Sequence, residues 1–265
     1  MACVTVDFHV HTRVSPDGLD APERVVAAAR EAGLSALAIT DHDRSAGYRR
    51  LVDLGLADPA GRAVDGLLVI PGVEVSTSSG HVLVLGATFD TPPRRGGISV
   101  DALRRFVRLN HPGALLVAAH PLDRTRSGVG AAIAASGCFD AIEAFNSKTL
   151  DRGANRRAGE LASGLGLPSI AGSDAHSVAT VGRARTIVDA AELSTDAVLA
   201  GVRAGRTQVV AGLHTHREIA AYVARGWLTR PWVADWTRRA ATSVAGDLRP
   251  RALLRRRNAQ DALAA

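Results

Sequence analysis

Short apolar runs rich in Val, Ile and Leu alternate along the chain with longer segments rich in Ala, Leu and Arg. A short run bounded by turn residues has the length of a strand. A longer segment with apolar positions three and four apart has the period of a helix. On this basis strands are predicted at CVTVDFHV, ALAIT, LLVIPGVEV, HVLVLGAT, ALLVAAH, FDAIEAF, PSIAGS, RARTIV and TQVVAG. Helices are predicted at APERVVAAAREAG, SAGYRRLVDLG, VDALRRFVRLN, DRGANRRAGELASGLG and STDAVLAGVRAG, several of them ending at Gly as helix C-termini prefer. Strands separated by helical segments imply a parallel sheet, and about seven such units in 265 residues predict an α/β fold of the closed or nearly closed barrel kind. The run VEVSTSSGHVLVLG has a short turn in place of a helix, so one antiparallel pair is expected to interrupt the pattern. TPPRRGG, residues 91–97, is the best internal loop.

The polar exceptions to this pattern are not scattered. In the first strand Asp7, His9 and His11 alternate with Val6, Phe8 and Val10, and the period of 2 predicts that the three polar groups share one face. Asp41 and His42 follow ALAIT, Glu74 lies late in VIPGVEV, His120 closes LLVAAH, and Asp174 and His176 follow PSIAG. In a β/α barrel the C-terminal strand ends surround a single mouth where ligands bind. The potential ligands, with His81 and Asp17 added and Asp7 and Asp41 left aside, are six of the nine histidines, His9, His11, His42, His81, His120 and His176, and three carboxylates, Asp17, Glu74 and Asp174. Imidazole and carboxylate without thiolate is a donor set for zinc, manganese or iron(II), and the count exceeds the four ligands of one tetrahedral centre. A cluster of two or three divalent ions is therefore predicted. Asp7, Asp41 and Asp43 have a spacing suited to hydrogen bonds that orient the imidazoles.

Composition narrows the class further. No apolar stretch approaches the roughly 18 residues that a membrane span needs, and MACVTVDF does not read as a leader, so a cytoplasmic protein is expected. Cys3 and Cys138 lie in no CxxC pair and are expected to be buried small residues. The net charge of +6 resides wholly in residues 213–265, the remainder being neutral, and Lys148 is the only lysine. The chain is accordingly divided into a main domain, residues 1–212, and a basic extension, residues 213–265. All three tryptophans lie in that extension, where Pro231 suits the start of a helix and Trp232, Trp236, Ala240 and Val244 recur every four residues. Two readings of this amphipathic segment stay open: packing on the barrel or on a second subunit of a homo-oligomer, and docking to nucleic acid or an anionic membrane through its arginines. His214 and His216 repeat the HxH spacing without carboxylate partners in evident motifs. The sequence contains no GxSxG elbow, no GxxxxGK[ST] loop and no GxGxxG fingerprint, which leaves serine hydrolase, nucleoside triphosphatase and dinucleotide enzyme without their signals.

DFHVHTRVSPDG, AITDHD, GVEVS, GHVLVLG, AAHP and AGSDAHS, in that order, resemble the successive motifs of the PHP (polymerase and histidinol phosphatase) family of metal-dependent phosphoesterases. IEAFN, GSDAHS and VGRARTIV resemble its short, stand-alone members. The resemblance implies a distorted (β/α)7 barrel, similar to a TIM barrel, with a trinuclear metal site. By motif, His9, His11, Glu74 and Asp174 would hold one ion, Asp17, His42 and His176 a second, and Glu74, His81 and His120 a third, with Glu74 bridging. The family places histidine or aspartate at the position of Asp17, and Asp20 stands close by, so the choice between the two aspartates stays open. Asp17, His42, Glu74 and His176 would surround the reacting water. Arg13 and Arg183 are candidates for binding substrate phosphate, and Glu143 and Asn146 for lining the pocket, either as substrate contacts or as supports behind the ligands. The implied activity is hydrolysis of a phosphate monoester or small nucleotide phosphate by metal-acidified water. Two alternatives remain: an exonuclease on single-stranded nucleic acid, with the tail supplying backbone contacts and stacking, and a catalytically silent binding module.

Overall fold

The computed structural model of the protein describes residues 2–91, 97–151 and 153–229. Among these residues are nine strands: β1 (Ala2–Val10), β2 (Ala36–Ile39), β3 (Leu68–Thr77), β4 (Gly80–Leu85), β5 (Leu115–Ala118), β6 (Ala141–Asn146), β7 (Ser169–Gly172), β8 (Arg185–Ala190) and β9 (Thr207–Val210). They pair in the order β7-β6-β5-β4-β3-β2-β1-β8-β9. The helices are α1 (Pro22–Glu31), α2 (Ala46–Asp53), α3 (Val100–Asn110), α4 (Gly130–Ala134), α5 (Ala154–Leu165), α6 (Thr195–Arg203) and α7 (His216–Thr229). All the strands and helices predicted in residues 1–212 exist; α4 and α7 are additional.

The sheet curls until β1 approaches β7. Val10 forms a parallel bridge with Ala175, just past β7, and the His11 N–H donates to the Ala175 carbonyl at 2.8 Å. Thr186 Oγ1 of β8 bonds both the N–H and the carbonyl of Ala171 at 2.8 and 3.2 Å. The result is the expected nearly closed α/β barrel of seven strands, with the β8–β9 hairpin against its side. The expectation of a single antiparallel pair was too few. The hairpin turn at Gly80 reverses β4, which therefore opposes both β3 and β5, and β8 runs back along β1 and opposes both β1 and β9.

Most barrel strands are buried on both faces, which is why they read as nearly continuous apolar runs. Val4, Val6, Phe8, Ala38, Ile70, Leu83, Val117 and Ile170 fill the interior. Outside it, Leu37, Ile39 and Val69 pack with Val25, Val26 and Leu51 from α1 and α2. Val73, Val84 and Leu116 pack with Leu103, Val107, Ala158 and Ala162 from α3 and α5. Each fully buried Val, Leu or Ile contributes roughly 1.5–3 kcal/mol relative to exposure, so these layers hold the strand ends in fixed relation. The cysteines depart from expectation: Cys3 is exposed, because its neighbour Val4 takes the inward position on the alternating strand, and Cys138 is only partly covered. Among the described residues no helix is long and apolar enough to cross a membrane.

Candidate metal centre

The inward stripes of the strands change chemistry as they climb. On β3 the inward residues run Leu68, Ile70, Gly72 and Glu74, so the same face that fills the barrel ends in a carboxylate at the mouth. On β4, which runs the other way, Leu85 and Leu83 lie in the core, and His81, opposite Ser76 of β3, comes at the mouth. On β6 Ala141 is followed two residues later by Glu143.

On β1 the stripe is corrected by a bulge. Asp7 pairs with Leu37 and Val10 with Ile39, so two residues of β1, Phe8 and His9, stand opposite Ala38 alone. Leu37, Ile39 and Val10 belong to the outer layer, whereas Phe8 fills the interior. The extra residue shifts the phase: His9 and His11 turn into the mouth, and Asp7 faces the other way, contrary to the predicted common face. Asp7 instead accepts hydrogen bonds from the backbone N–H groups of Ser173 at 2.9 Å, Gly182 at 2.8 Å and His9 at 3.3 Å.

Glu74 is the hub of the mouth. Its Oε2 lies 3.2 Å from His9 Nε2, 3.1 Å from His11 Nε2 and 3.3 Å from His42 Nδ1. Its Oε1 lies 2.9 Å from His81 Nδ1 and 3.2 Å from His120 Nε2. Three overlapping groups bring one donor atom per residue within 4.8 Å of one another: His9, His11 and Asp174; His11, Asp17, His42 and His176; and His42, Glu74 and His81. Eight of the nine residues singled out as candidate ligands fall in these groups, and the ninth, His120, adjoins them through Glu74 Oε1 at 3.2 Å. Asp17, rather than Asp20, enters the cluster, with Oδ2 2.8 Å from His176 Nε2 and 3.5 Å from His42 Nε2. Two of the nine, His120 (φ 29°) and Asp174 (φ 51°), adopt a left-handed backbone that side-chain-bearing residues rarely take, a strain that clusters at functional sites. Gly172 is needed where β7 crosses β1, because a Cβ there would fall 2.3 Å from His9 Cβ.

Burial opposes charge on His9, His11, His42 and His120, and the neighbours decide which ring overcomes it. Around His9 the carboxylates of Asp174, Glu143 and Glu74 outweigh burial and hold the ring well above its ordinary value. His11, buried and next to His176, is pushed down to about 3. His42 is buried as well, yet Glu74 and Asp17 raise it to about 9. The carboxyls of Glu74, Asp17 and Asp174, despite burial, are held well below their usual range by the rings and cations around them. Protons serve this constellation badly. His9 and His11 meet Nε2 to Nε2 at 3.1 Å, and Asp17 Oδ1, His42 Nδ1 and His120 Nδ1 are buried without a well-directed hydrogen bond. Convergent nitrogen and oxygen lone pairs of this kind fit divalent cations.

The groups that hold the imidazoles differ from those expected. Glu143, expected to line the pocket either against substrate or behind the ligands, is buried and takes the second place: Oε1 accepts from His9 Nδ1 at 2.9 Å, and Oε2 accepts from the His120 N–H at 2.6 Å and Asn146 Nδ2 at 3.1 Å. Asn146 is buried with it and also donates to Asp174 Oδ2 at 3.1 Å. Asp41 reaches no ring; it accepts from Thr12 and Ser15, and the Ser15 hydroxyl in turn meets His11 Nδ1 at 2.9 Å. Asp43 accepts from the Ser76 N–H and Thr91 Oγ1, again without touching an imidazole.

Above the cluster opens a cavity of about 240 Å³ lined by Asp17, His42, Glu74, His81, His120, Arg124, Thr125, Arg126, Ser127, Lys148, Asp174 and His176. Neither proposed phosphate-binding arginine lines it: Arg13 is exposed, and Arg183 pairs with Glu218 of α7. The cations that do line it are Arg124, Arg126 and Lys148. Arg126 is nearly buried and bonds Asp123, Asp174 and Asn146, so it braces the wall. Lys148 Nζ lies 3.0 Å from His176 Nε2. Its rank as the only lysine was the signal available for it. His214 lies near this side of the mouth but in none of the donor groups, and His216 is exposed. Trp232, Trp236 and the loop 92–96 lie outside the described residues.

A nearly closed α/β barrel whose mouth gathers six imidazoles and three carboxylates has the donor set of a site for divalent cations. The sequence profile of the PHP domain matches residues 7–108 and that of the PHP-associated region residues 152–207, together more than half of the chain, and the protein belongs to the PHP family. Among curated relatives, the 3',5'-nucleoside bisphosphate phosphatase of Chromobacterium violaceum is 33% identical over 140 residues, 51% of this chain and 41% of that one. The 5'-3' exoribonuclease Rnm of Salmonella typhimurium is 35% identical over 109 residues, 40% of this chain and 35% of that one. The match thus spans less than half of either enzyme, and both are hydrolases of phosphoester bonds. Two solved structures share the fold: PsfC from Pseudomonas syringae (TM-score 0.64, 23% identity, 86% of this chain and 100% of that one) and a two-domain protein from Bacteroides vulgatus containing a predicted PHP-like metal-dependent phosphoesterase (TM-score 0.61, 19% identity, 84% and 70%).

Proposed function

We propose that the protein is a metal-dependent phosphoesterase that hydrolyses a phosphate monoester or a small nucleotide phosphate at two or three divalent ions. The observation that carries this reading is the sharing of donors. Glu74 reaches five imidazoles with its two oxygens, and His11 and His42 each belong to two of the three donor groups. Zinc, manganese and iron(II) all suit such donors; when bound, they acidify water for attack on phosphorus and neutralise charge on phosphate oxygens. His9, His11, Glu74 and Asp174 would form the buried floor, Asp17, His42 and His176 one rim, and His81 with His120 the other. The chain's own residues then have distinct tasks. Glu143 fixes the His9 ring by accepting from Nδ1, which leaves Nε2 turned toward Glu74. Arg126 and Asn146 hold Asp174 in place. Arg124 and Lys148, on the cavity wall, supply positive charge for phosphate oxygens.

A cavity of about 240 Å³ lies below the roughly 300–1,000 Å³ of pockets that bury a drug-sized ligand, so part of a nucleotide-sized substrate would extend out of the mouth. The curated relatives named above act on a nucleoside bisphosphate and on RNA, and one experiment separates these classes. The purified chain, supplied with manganese, is assayed on a nucleoside 3',5'-bisphosphate and on a 5'-phosphorylated oligoribonucleotide at low and moderate salt. Turnover of the bisphosphate with a shallow salt dependence supports the small-substrate reading. Preference for the oligonucleotide with a steep loss of activity as salt rises would replace it with the exonuclease reading.

A further inference from the structure

Eight of the nine candidate ligands stand on strands or in the first residues beyond them; Asp17 alone stands on an excursion, six residues past His11 in the loop that leads to α1. Its side chain is also the most exposed of the three carboxylates, at 24% against 2% for Glu74 and 3% for Asp174. The barrel holds this loop on either side of Asp17, through Ser15 on Asp41 and the Leu19 N–H on the His176 carbonyl at 2.9 Å, and Arg24 of α1 reaches Asp20 Oδ1 at 3.2 Å. Helix α7 touches that loop at two points one turn apart. Tyr222, itself buried, donates its hydroxyl to the Asp17 carbonyl at 3.1 Å and sets its ring edge-on to His176 at 5.8 Å between centroids. Three residues on, Arg225 grips both oxygens of the buried Asp20 carboxylate at 3.0 and 3.3 Å. Asp20 Oδ2 also accepts from the Val178 N–H at 3.0 Å, and the Asp20 carbonyl accepts from the Arg13 N–H at 2.7 Å, which closes the loop upon itself. Residues three apart lie on one helix face, so one rigid element presents both contacts. The helix is itself fastened to the barrel, through the pairing of Glu218 with Arg183 and the bond from the His214 N–H to the Ser147 carbonyl at 3.0 Å. Neither matched family region reaches α7.

We propose that Tyr222 and Arg225 are positioning residues: α7 clamps the loop Arg13–Asp20 so that the Asp17 carboxylate stays against His42 and His176, and thereby sets the affinity of that corner for its divalent ion. The inference rests on the reading of Asp17, His42 and His176 as ligands. It also gives Asp20 a distinct task, as the anchor through which Arg225 acts.

The test uses the full chain, stripped of metal and titrated with zinc alone, then with manganese alone, against a chromophoric chelator. Wild type is compared with Tyr222→Phe, Arg225→Lys, Arg225→Ala, the double variant Tyr222→Phe/Arg225→Ala, and Arg217→Ala as an exposed control on the same helix. Circular dichroism and melting temperature are recorded for each. Loss of an outer partner of a ligand typically weakens metal binding about 10–100-fold, and the double variant is expected to lose affinity by that factor for one equivalent while keeping the others. Arg225→Lys should recover part of the loss, and Arg217→Ala should behave as wild type. Should Arg225→Ala melt early, Tyr222→Phe alone, which keeps the ring and removes only the hydroxyl, carries the comparison. Wild-type affinity for every equivalent in the double variant overturns the clamp, as does an equal weakening of all equivalents. A wild-type chain that takes up no ion overturns the ligand reading beneath it, a result distinct from failure of the clamp.

Discussion

Glu143→Gln is the most informative single substitution, because it changes a charge and a hydrogen-bond pattern without changing shape. The carboxylate is a pure acceptor and serves three donors: His9 Nδ1, the His120 N–H and Asn146 Nδ2. A glutamine offers one oxygen and one NH2 group. If the oxygen stays with His9, the NH2 faces two donors, and the His120 N–H and Asn146 Nδ2 lose their partner in a buried site. Each unsatisfied group costs roughly 1–3 kcal/mol, and each kcal/mol lowers the melting temperature of a domain of this size by about 2–4 °C. If the amide flips, the NH2 can bond His9 only in the tautomer that carries its proton on Nε2, the nitrogen turned toward Glu74 and His11. The variant must therefore lose stability, lose the donor at His9, or share the loss between the two. The second route predicts metal affinity weakened about 10–100-fold, roughly 1.4–2.8 kcal/mol. Differential scanning fluorimetry without metal and chelator competition with zinc measure the two losses separately. If both quantities stay at their wild-type values, the tautomer argument is wrong and Glu143 is only a space-filler.

Further expectations concern the cluster and its walls. His42→Ala and Asp174→Ala should abolish phosphate-ester hydrolysis while circular dichroism shows the fold largely intact; full activity in either would dismiss the assigned site. Gly172→Ala forces a methyl group against His9 Cβ at 2.3 Å, so it should cost about 1–3 kcal/mol in chemical denaturation and reduce metal uptake; a neutral result would mean that β7 and β1 are not so closely apposed. Burial alone would raise the Asp123 carboxyl, but Arg126 and hydrogen bonds from Thr125 and Thr149 bring it down to about 2. A carboxyl depressed on folding stabilises above its unfolded value near 4, and the contribution fades as pH falls toward 2. Asp123→Asn should therefore lower stability by about 2 kcal/mol at pH 7, with the gap to wild type closing between pH 4 and 2. A gap independent of pH over that range would show that the charge is not the source.

The strands were legible because the barrel buries both of their faces, which leaves unbroken apolar runs such as LLVAAH and ALAIT. The cluster was legible for a related reason: Glu74, His120 and Asp174 are polar interruptions at the ends of such runs, and the barrel geometry carries strand ends to one place. What escaped the sequence depends on single-residue changes of phase or on distant partners. Asp7 alternates with Val6 and Phe8 as His9 does with Phe8 and Val10, and only the bulge at Phe8 and His9 turns His9 and His11 to the face opposite Asp7. Glu143 and Arg183 have the same local setting as many pocket residues, and their actual partners, His9 and Glu218, lie far away in sequence. Helix α7 was hidden behind the HxH spacing of His214 and His216, whereas the residues that seat it on the barrel are Glu218, Tyr222 and Arg225, spaced four and three apart.

The central claim is that the mouth holds a cluster of metal ions that hydrolyses phosphate esters. The most direct test is to purify the chain without chelator, count bound metals by elemental mass spectrometry, and assay the same sample on a generic phosphate ester. About two to three equivalents of divalent metal, with turnover that chelation abolishes and added metal restores, is the predicted result. Fewer than about one equivalent, with no turnover after manganese or zinc is supplied, would contradict it.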